Sequence, residues 1–209
     1  MTIIAMILIL LRYIAYYYLL MFGLKILRQK LFASKSIMII LGSGGHTGEI
    51  LIMLQKLNFD KFSDVYFVSA HNDKSSENKV KEVIKLSDFK KVKFHFEKIY
   101  RSRNVGQSFK TSIFTTIYAL IQSLGLILKT RPNLVVSNGP GVAVPVIYIG
   151  FLLKLLLILQ EFKILFIESY CRTTSISLSG KILKPICDKF IVLWEHLKGG
   201  KKEYIGKIL

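Results

Sequence analysis

Acidic residues are scarce in this chain: 13 stand against 30 lysines and arginines in 209 residues, and none precedes Glu49. The formal charge of +17 favours an anionic partner: nucleic acid, an acidic membrane face or a phosphate-bearing substrate. Cysteine is nearly absent too. Cys171 and Cys187 lack metal-ligand spacing and cannot build a disulfide framework, so a reducing, cytosolic setting is the simplest for the globular part. A zinc knuckle, an RNA-binding aromatic motif and a homeodomain-like pattern are all missing, which leaves nucleic acid the weakest of the three partners. No repeat or low-complexity tract interrupts the sequence.

What is abundant is apolar surface, at 52% hydrophobic residues and a mean hydropathy of +0.44, which points to a membrane. Ile3 to Leu24 carries a single charge, Arg12. As a helix it covers roughly 33 Å, enough for a hydrocarbon core of about 30 Å. Arg12 at mid-depth costs on the order of 2.5–3.5 kcal/mol unless it snorkels. Tyr13, Tyr16, Tyr17 and Tyr18 suit an interfacial belt. A cleaved signal is the competing reading, but the stretch is long for one and no small-x-small site closes it. Lys25, Arg28, Lys30 and Lys35 follow, and the positive-inside rule then puts the rest of the chain in the cytosol. The expected organisation is an anchor over 1–24, a basic juxtamembrane linker over 25–35, a Rossmann-like domain over 36–197 and a docking tail over 198–209.

Ile37 to Leu41 is fully apolar and reads as a buried parallel strand. It runs into Gly42-Ser-Gly-Gly-His46, and a helical pattern follows with Ile50, Leu51, Leu54 and Leu57 on one face and Thr47 placed to cap its start. Strand, glycine turn and helix form a phosphate-binding junction, because glycines let an anion approach and helix N–H groups attract it. In the bland alternative the glycines only tighten the turn. A dinucleotide site is disfavoured: Gly48 comes one place late, and no acid closes the second strand before Asp73. A P-loop is excluded, since no Lys-Ser/Thr follows.

Further strands are expected at Val65 to Ser69, Val92 to Phe96, Leu134 to Ser137, Lys163 to Ile167 and Lys189 to Leu193, about six in all, with helices between them. Phe109 to Lys129 reads as a long helix. Val142 to Leu159 is nearly all apolar, and its place between strands favours a crossover helix over a second span. A second glycine turn, Asn138-Gly-Pro-Gly141, resembles the first in construction. Two such turns at strand C-terminal ends mark a crevice of the kind that binds ligands in open α/β sheets. Arg101 and Arg103 can each fork onto phosphate oxygens.

Four stretches carry a resemblance: Gly42 to Thr47; Arg101 and Arg103 with Gln107 and Ser108; Ser137 to Gly141; and Glu168 to Arg172 with Ser179 to Leu183. With the anchor, they resemble the membrane-anchor subunit of the two-chain UDP-N-acetylglucosamine transferase of dolichol-linked oligosaccharide synthesis. The chain is more distantly similar to the N-terminal half of the bacterial lipid II glycosyltransferase. This resemblance implies the acceptor-side half of a GT-B fold, a Rossmann-like doubly wound parallel sheet behind an N-terminal transmembrane helix. It implies an inverting hexosyltransferase, inactive alone. A separate soluble subunit would bind UDP-GlcNAc, and the complex would add the second GlcNAc to GlcNAc-diphosphodolichol. The expected location is the endoplasmic reticulum membrane, or that of the nuclear envelope, single-pass, with the domain on the cytosolic face and no nucleic acid partner.

Within that frame the candidate bases for the acceptor 4-hydroxyl are His46, Asp73 and Glu168, each near a strand's C-terminal end. The candidate acceptor-pyrophosphate contacts are Gly42, Ser43, Gly44, Gly45, Thr47, Arg101, Arg103, Asn138, Gly139, Gly141 and Arg172, the last either on phosphate or paired with Glu168. Tyr204, Ile205, Ile208 and Leu209 are expected to dock the partner. No metal or cofactor is expected, since helix dipoles can neutralise a UDP leaving group. Two other functions stay open: a membrane scaffold without active-site residues, and a stand-alone nucleotide-binding Rossmann protein.

Overall fold

A computed structural model describes residues 3–31, 35–55, 57–85, 91–102, 107–200 and 202–206. Helix α1 (Ile3–Leu31) precedes β1 (Ser36–Ile40), α2 (Gly45–Leu54), β2 (Asp64–Ala70), α3 (Ser75–Lys85), β3 (Lys93–Ile99) and α4 (Phe109–Thr130). Then come β4 (Leu134–Ser137), α5 (Ala143–Leu155), β5 (Lys163–Ile167), α6 (Leu178–Leu183), β6 (Lys189–Val192) and β7 (Lys202–Tyr204). The strands form one seven-stranded sheet in the order β3-β2-β1-β4-β5-β6-β7, every pairing parallel.

All five residues of β1 are buried, which is why it reads as an unbroken apolar run. Ile37, Ile39 and Leu41 pack on one face with Ile50, Leu54 and Val80 from α2 and α3. Met38 and Ile40 pack on the other, in a cluster with Ile127 of α4, Val146 and Ile147 of α5, and Leu183 of α6. Burying a side chain of this size is worth roughly 1.5–3 kcal/mol, so the period-two alternation on a doubly covered sheet sets the register. From β1 the chain winds outward to β2 and β3, then returns to lay β4 against the other side of β1, with Ile40 opposite Ser137. The direction of winding reverses there. The ends of β1 and β4 therefore open one crevice.

Three expectations change. The sheet has a seventh strand: Glu203 pairs with Ile191, so part of the segment assigned to a docking tail completes the sheet. Helix α1 runs on to Leu31 and includes most of the segment read as a linker. Thr47 does not cap α2, because the helix begins at Gly45 with Gly44 as its cap, which leaves Thr47 inside the first turn. Helix α5 is the expected crossover between β4 and β5.

Gly150 on α5 packs against the tip of the buried Phe162 ring, where a Cβ would come within 2.1 Å of Cζ. Gly150→Ala should lower the unfolding free energy by about 1–3 kcal/mol, despite alanine's better helix propensity. Chemical denaturation of the full chain in detergent checks this.

Candidate active-site cleft

The two glycine turns meet across the β1–β4 boundary. Gly42 sits so close to the second turn that a Cβ would lie 2.7 Å from Pro140 Cβ and 2.8 Å from His46 Cβ. Only glycine fits. Gly44 and Gly139 adopt positive φ angles of 71° and 101°, which an L side chain rarely takes. Between the turns lies a cleft of about 220 Å³, lined by Gly42, Ser43 and His46 from the first, Gly139, Pro140 and Gly141 from the second, and Arg101 from beyond β3.

Arg101 crosses from the end of β3 and its Nη2 donates to Ser43 Oγ at 3.0 Å. Among the described residues no carboxylate pairs with it, which leaves most of the guanidinium fork for a ligand. His46 lines the same cleft, and its Nδ1 is buried without a hydrogen-bond partner among the described residues.

The other two candidate bases are held elsewhere. Asp73 is 4% exposed, and its carboxylate accepts from Ser76 Oγ at 2.7 Å, Ser76 N at 3.1 Å and Ser75 Oγ at 3.1 Å. Ser76 Oγ in turn contacts Gly42 O at 3.2 Å and Thr47 Oγ1 at 2.7 Å, while the Thr47 hydroxyl also donates to Gly42 O. Asp73 thus braces the first turn through α3. Burial pushes its carboxyl up, but the Ser76 and Ser75 hydrogen bonds and the Arg101 charge outweigh that and hold it below its ordinary value. A carboxylate so held is a weak base. Glu168 is 1% exposed and accepts from the backbone N–H groups of Ser177 at 3.0 Å and Ser169 at 3.3 Å. Of the three, only His46 lines the cleft.

Asn138 is fully buried, and its Nδ2 donates to His46 O at 2.7 Å and to Glu49 Oε2 at 3.2 Å. It stitches the second turn to α2, so it supports the cleft from below. Arg172 is exposed and, among the described residues, has no ion pair with Glu168, whose oxygens face backbone amides instead. Arg103 lies outside the described residues, as do Ile208 and Leu209. Tyr204 is part of β7 and packs against the core, while Ile205 beyond it is 51% exposed.

Sequence reasoning passed over Glu49 and Ser76. Glu49 had a signal: it is the first acid of the chain and stands one helical turn after His46, on the same face of α2.

These features define the class first. The fold is the Rossmann-like half of a MurG-like GT-B fold: the crystal structure of Acinetobacter baumannii MurG matches with a TM-score of 0.57 at 15% identity, over 83% of this chain. The chain spans 45% of the MurG chain, under half its length. A family model described as "Oligosaccharide biosynthesis protein Alg14 like" matches residues 37–208, and the chain belongs to this family. The Candida albicans relative is 41% identical over 184 residues, covering 87% of this chain and 82% of its own. The mouse and human relatives are each 39% identical, covering 84% of both chains in each case. All three are named UDP-N-acetylglucosamine transferase subunit ALG14.

Asp73 provides a pH test. Because its folded carboxyl titrates below the unfolded value of about 3.9, the stabilisation it gives is complete above that value and is lost as pH falls through the folded one. Asp73→Asn should therefore be less stable than wild type at pH 7, and the gap should close below about pH 4. Denaturant unfolding at the two pH values measures it.

Proposed function

We propose that this chain is the membrane-anchored, acceptor-binding subunit of the complex that transfers GlcNAc from UDP-GlcNAc to GlcNAc-diphosphodolichol. A soluble partner binds the donor, and the two chains close the active site between them. The observation that carries this reading is a cleft at the sheet's switch point with two glycine turns and an Arg101 that has no ion pair among the described residues, in a chain that matches one half of a GT-B fold. Family membership supplies the donor and the subunit character.

In the reaction the acceptor's 4-hydroxyl oxygen attacks the anomeric carbon of the donor GlcNAc from the face opposite UDP. The new C–O bond forms as the bond to UDP breaks, with inversion, and the hydroxyl proton passes to His46. His46 suits this role because, of the three candidate bases, it alone lines the cleft; its buried Nδ1 has no hydrogen-bond partner among the described residues. Arg101 and the N–H groups of the Gly42–Thr47 turn hold the acceptor pyrophosphate. Ser43 fixes the guanidinium through its 3.0 Å contact.

The membrane side of the reading rests on exposed apolar surface. Ile4–Gly23 of α1 is long and apolar enough to cross a bilayer and is wholly unburied. Phe114, Ile117 and Ile121 on α4 are 50–77% exposed, as are Leu155 and Leu156 at the end of α5 at 53–59%. The Tyr17 hydroxyl donates to Leu156 O, which ties α1 to the α5 end. A domain set this way against the cytosolic face of the endoplasmic reticulum reaches a pyrophosphate whose polyprenyl tail stays in lipid.

Two experiments test the reading. In a reconstituted assay with both full chains, His46→Ala and Arg101→Ala should each lower transfer at least on the order of a hundredfold without releasing the partner. Transfer at the wild-type rate in His46→Ala removes it as the base. Separately, deletion of residues 205–209, which spares β7, should free the soluble partner from the membrane fraction. Retention of the partner would place the docking surface elsewhere.

A further inference from the structure

Two glycine turns border the cleft, and a single carboxylate joins both of them to the loop after β5. Glu49 Oε2 accepts from Asn138 Nδ2 of the loop after β4 at 3.2 Å, and Oε1 accepts from Ser169 Oγ of the loop after β5 at 2.8 Å. Cys171 Sγ donates to the same oxygen at 3.7 Å. Glu49 itself belongs to α2, the helix that the first glycine turn starts. Asp73 and Glu168 each brace one region, whereas Glu49 spans all three. Among the described residues no lysine or arginine pairs with it, so neutral donors alone hold its charge.

We propose that Glu49 is a positioning residue for the transfer reaction: it sets the spacing of the three loops and, through Asn138, the place of His46. The inference rests on the acceptor-subunit reading above. Both groups facing the Asn138 amide nitrogen are acceptors, the His46 carbonyl at 2.7 Å and the Glu49 carboxylate, so the amide has one workable orientation. Removing the carboxylate releases one of the two acceptors that hold this nitrogen and frees the Ser169 hydroxyl as well. Asn138 is then held by the His46 carbonyl alone, so the tether on the His46 backbone slackens and the imidazole drifts from the acceptor hydroxyl. A misplacement of about 1 Å is enough to slow chemistry on the order of a hundredfold.

The test compares Glu49→Ala, Glu49→Gln and Asn138→Ala in the complex of both full chains. Glu49→Ala should lower kcat on the order of a hundredfold, with the KM for UDP-GlcNAc unchanged because the partner binds the donor. Glu49→Gln keeps an acceptor for Asn138 and a polar contact for Ser169, so it should recover most of the loss. The double variant Glu49→Ala with Asn138→Ala should be no slower than the slower single, since both act through one link. Three results overturn the proposal: a wild-type rate in Glu49→Ala, a Gln variant as slow as the Ala variant, or losses that multiply. The second of these would show that the charge itself acts. If the wild-type pair transfers nothing, the functional reading has failed instead. The link is then tested without turnover, by a double-mutant cycle on unfolding of the full chain in detergent, where additive losses at 49 and 138 overturn it and non-additive losses uphold it.

Discussion

The close approach of two backbone turns governs this molecule. Gly42 packs against Pro140 and the base of His46 with no room for a methyl group. That contact exists because β1 and β4 are neighbours in the sheet although a long stretch of chain, with β2, β3 and α4, separates them. Were a side chain present at position 42, the turns would part and Arg101 would lose the wall it faces. The buried apolar strands make the sheet stiff enough to hold this approach.

Around the contact, the few acids are deployed with economy. Asp73 faces hydroxyls and an N–H group beneath the first turn, Glu168 faces backbone amides at the start of α6, and Glu49 bridges between loops. None forms an ion pair with Arg101 among the described residues. Arg101 thus stands at the cleft with no ion pair among the described residues. A carboxylate saturated by hydrogen bonds accepts a proton poorly, and neither Asp73 nor Glu168 lines the cleft.

The exposed apolar helices form a second theme. Helix α1 is unburied along its apolar length, and α4 and α5 carry apolar side chains outward while burying others in the core. Such two-sided helices differ from the amphipathic helices of a water-bathed domain, where the outer face is polar. Beside them stands α1, whose apolar stretch is long enough to cross a bilayer.

By itself the sequence determined the elements that depend on local pattern. The apolar runs of β1 and β4, the glycine turns after them, the long apolar N-terminal helix and the crossover α5 were all legible, because strand burial, turn chemistry and helix length are written in neighbouring residues. Only the tertiary structure decided which candidates share a cleft. His46 and Arg101 both line it, whereas Asp73, Glu168 and Arg172 do not. Thr47 was read as a cap but bonds to Gly42 and Ser76, and part of the segment read as a docking tail forms β7. Glu49 was passed over since its partners lie 89 and 120 residues away along the chain. Hydrogen bonds between such distant residues leave no periodicity and no motif; they exist only once the sheet order sets three loops side by side.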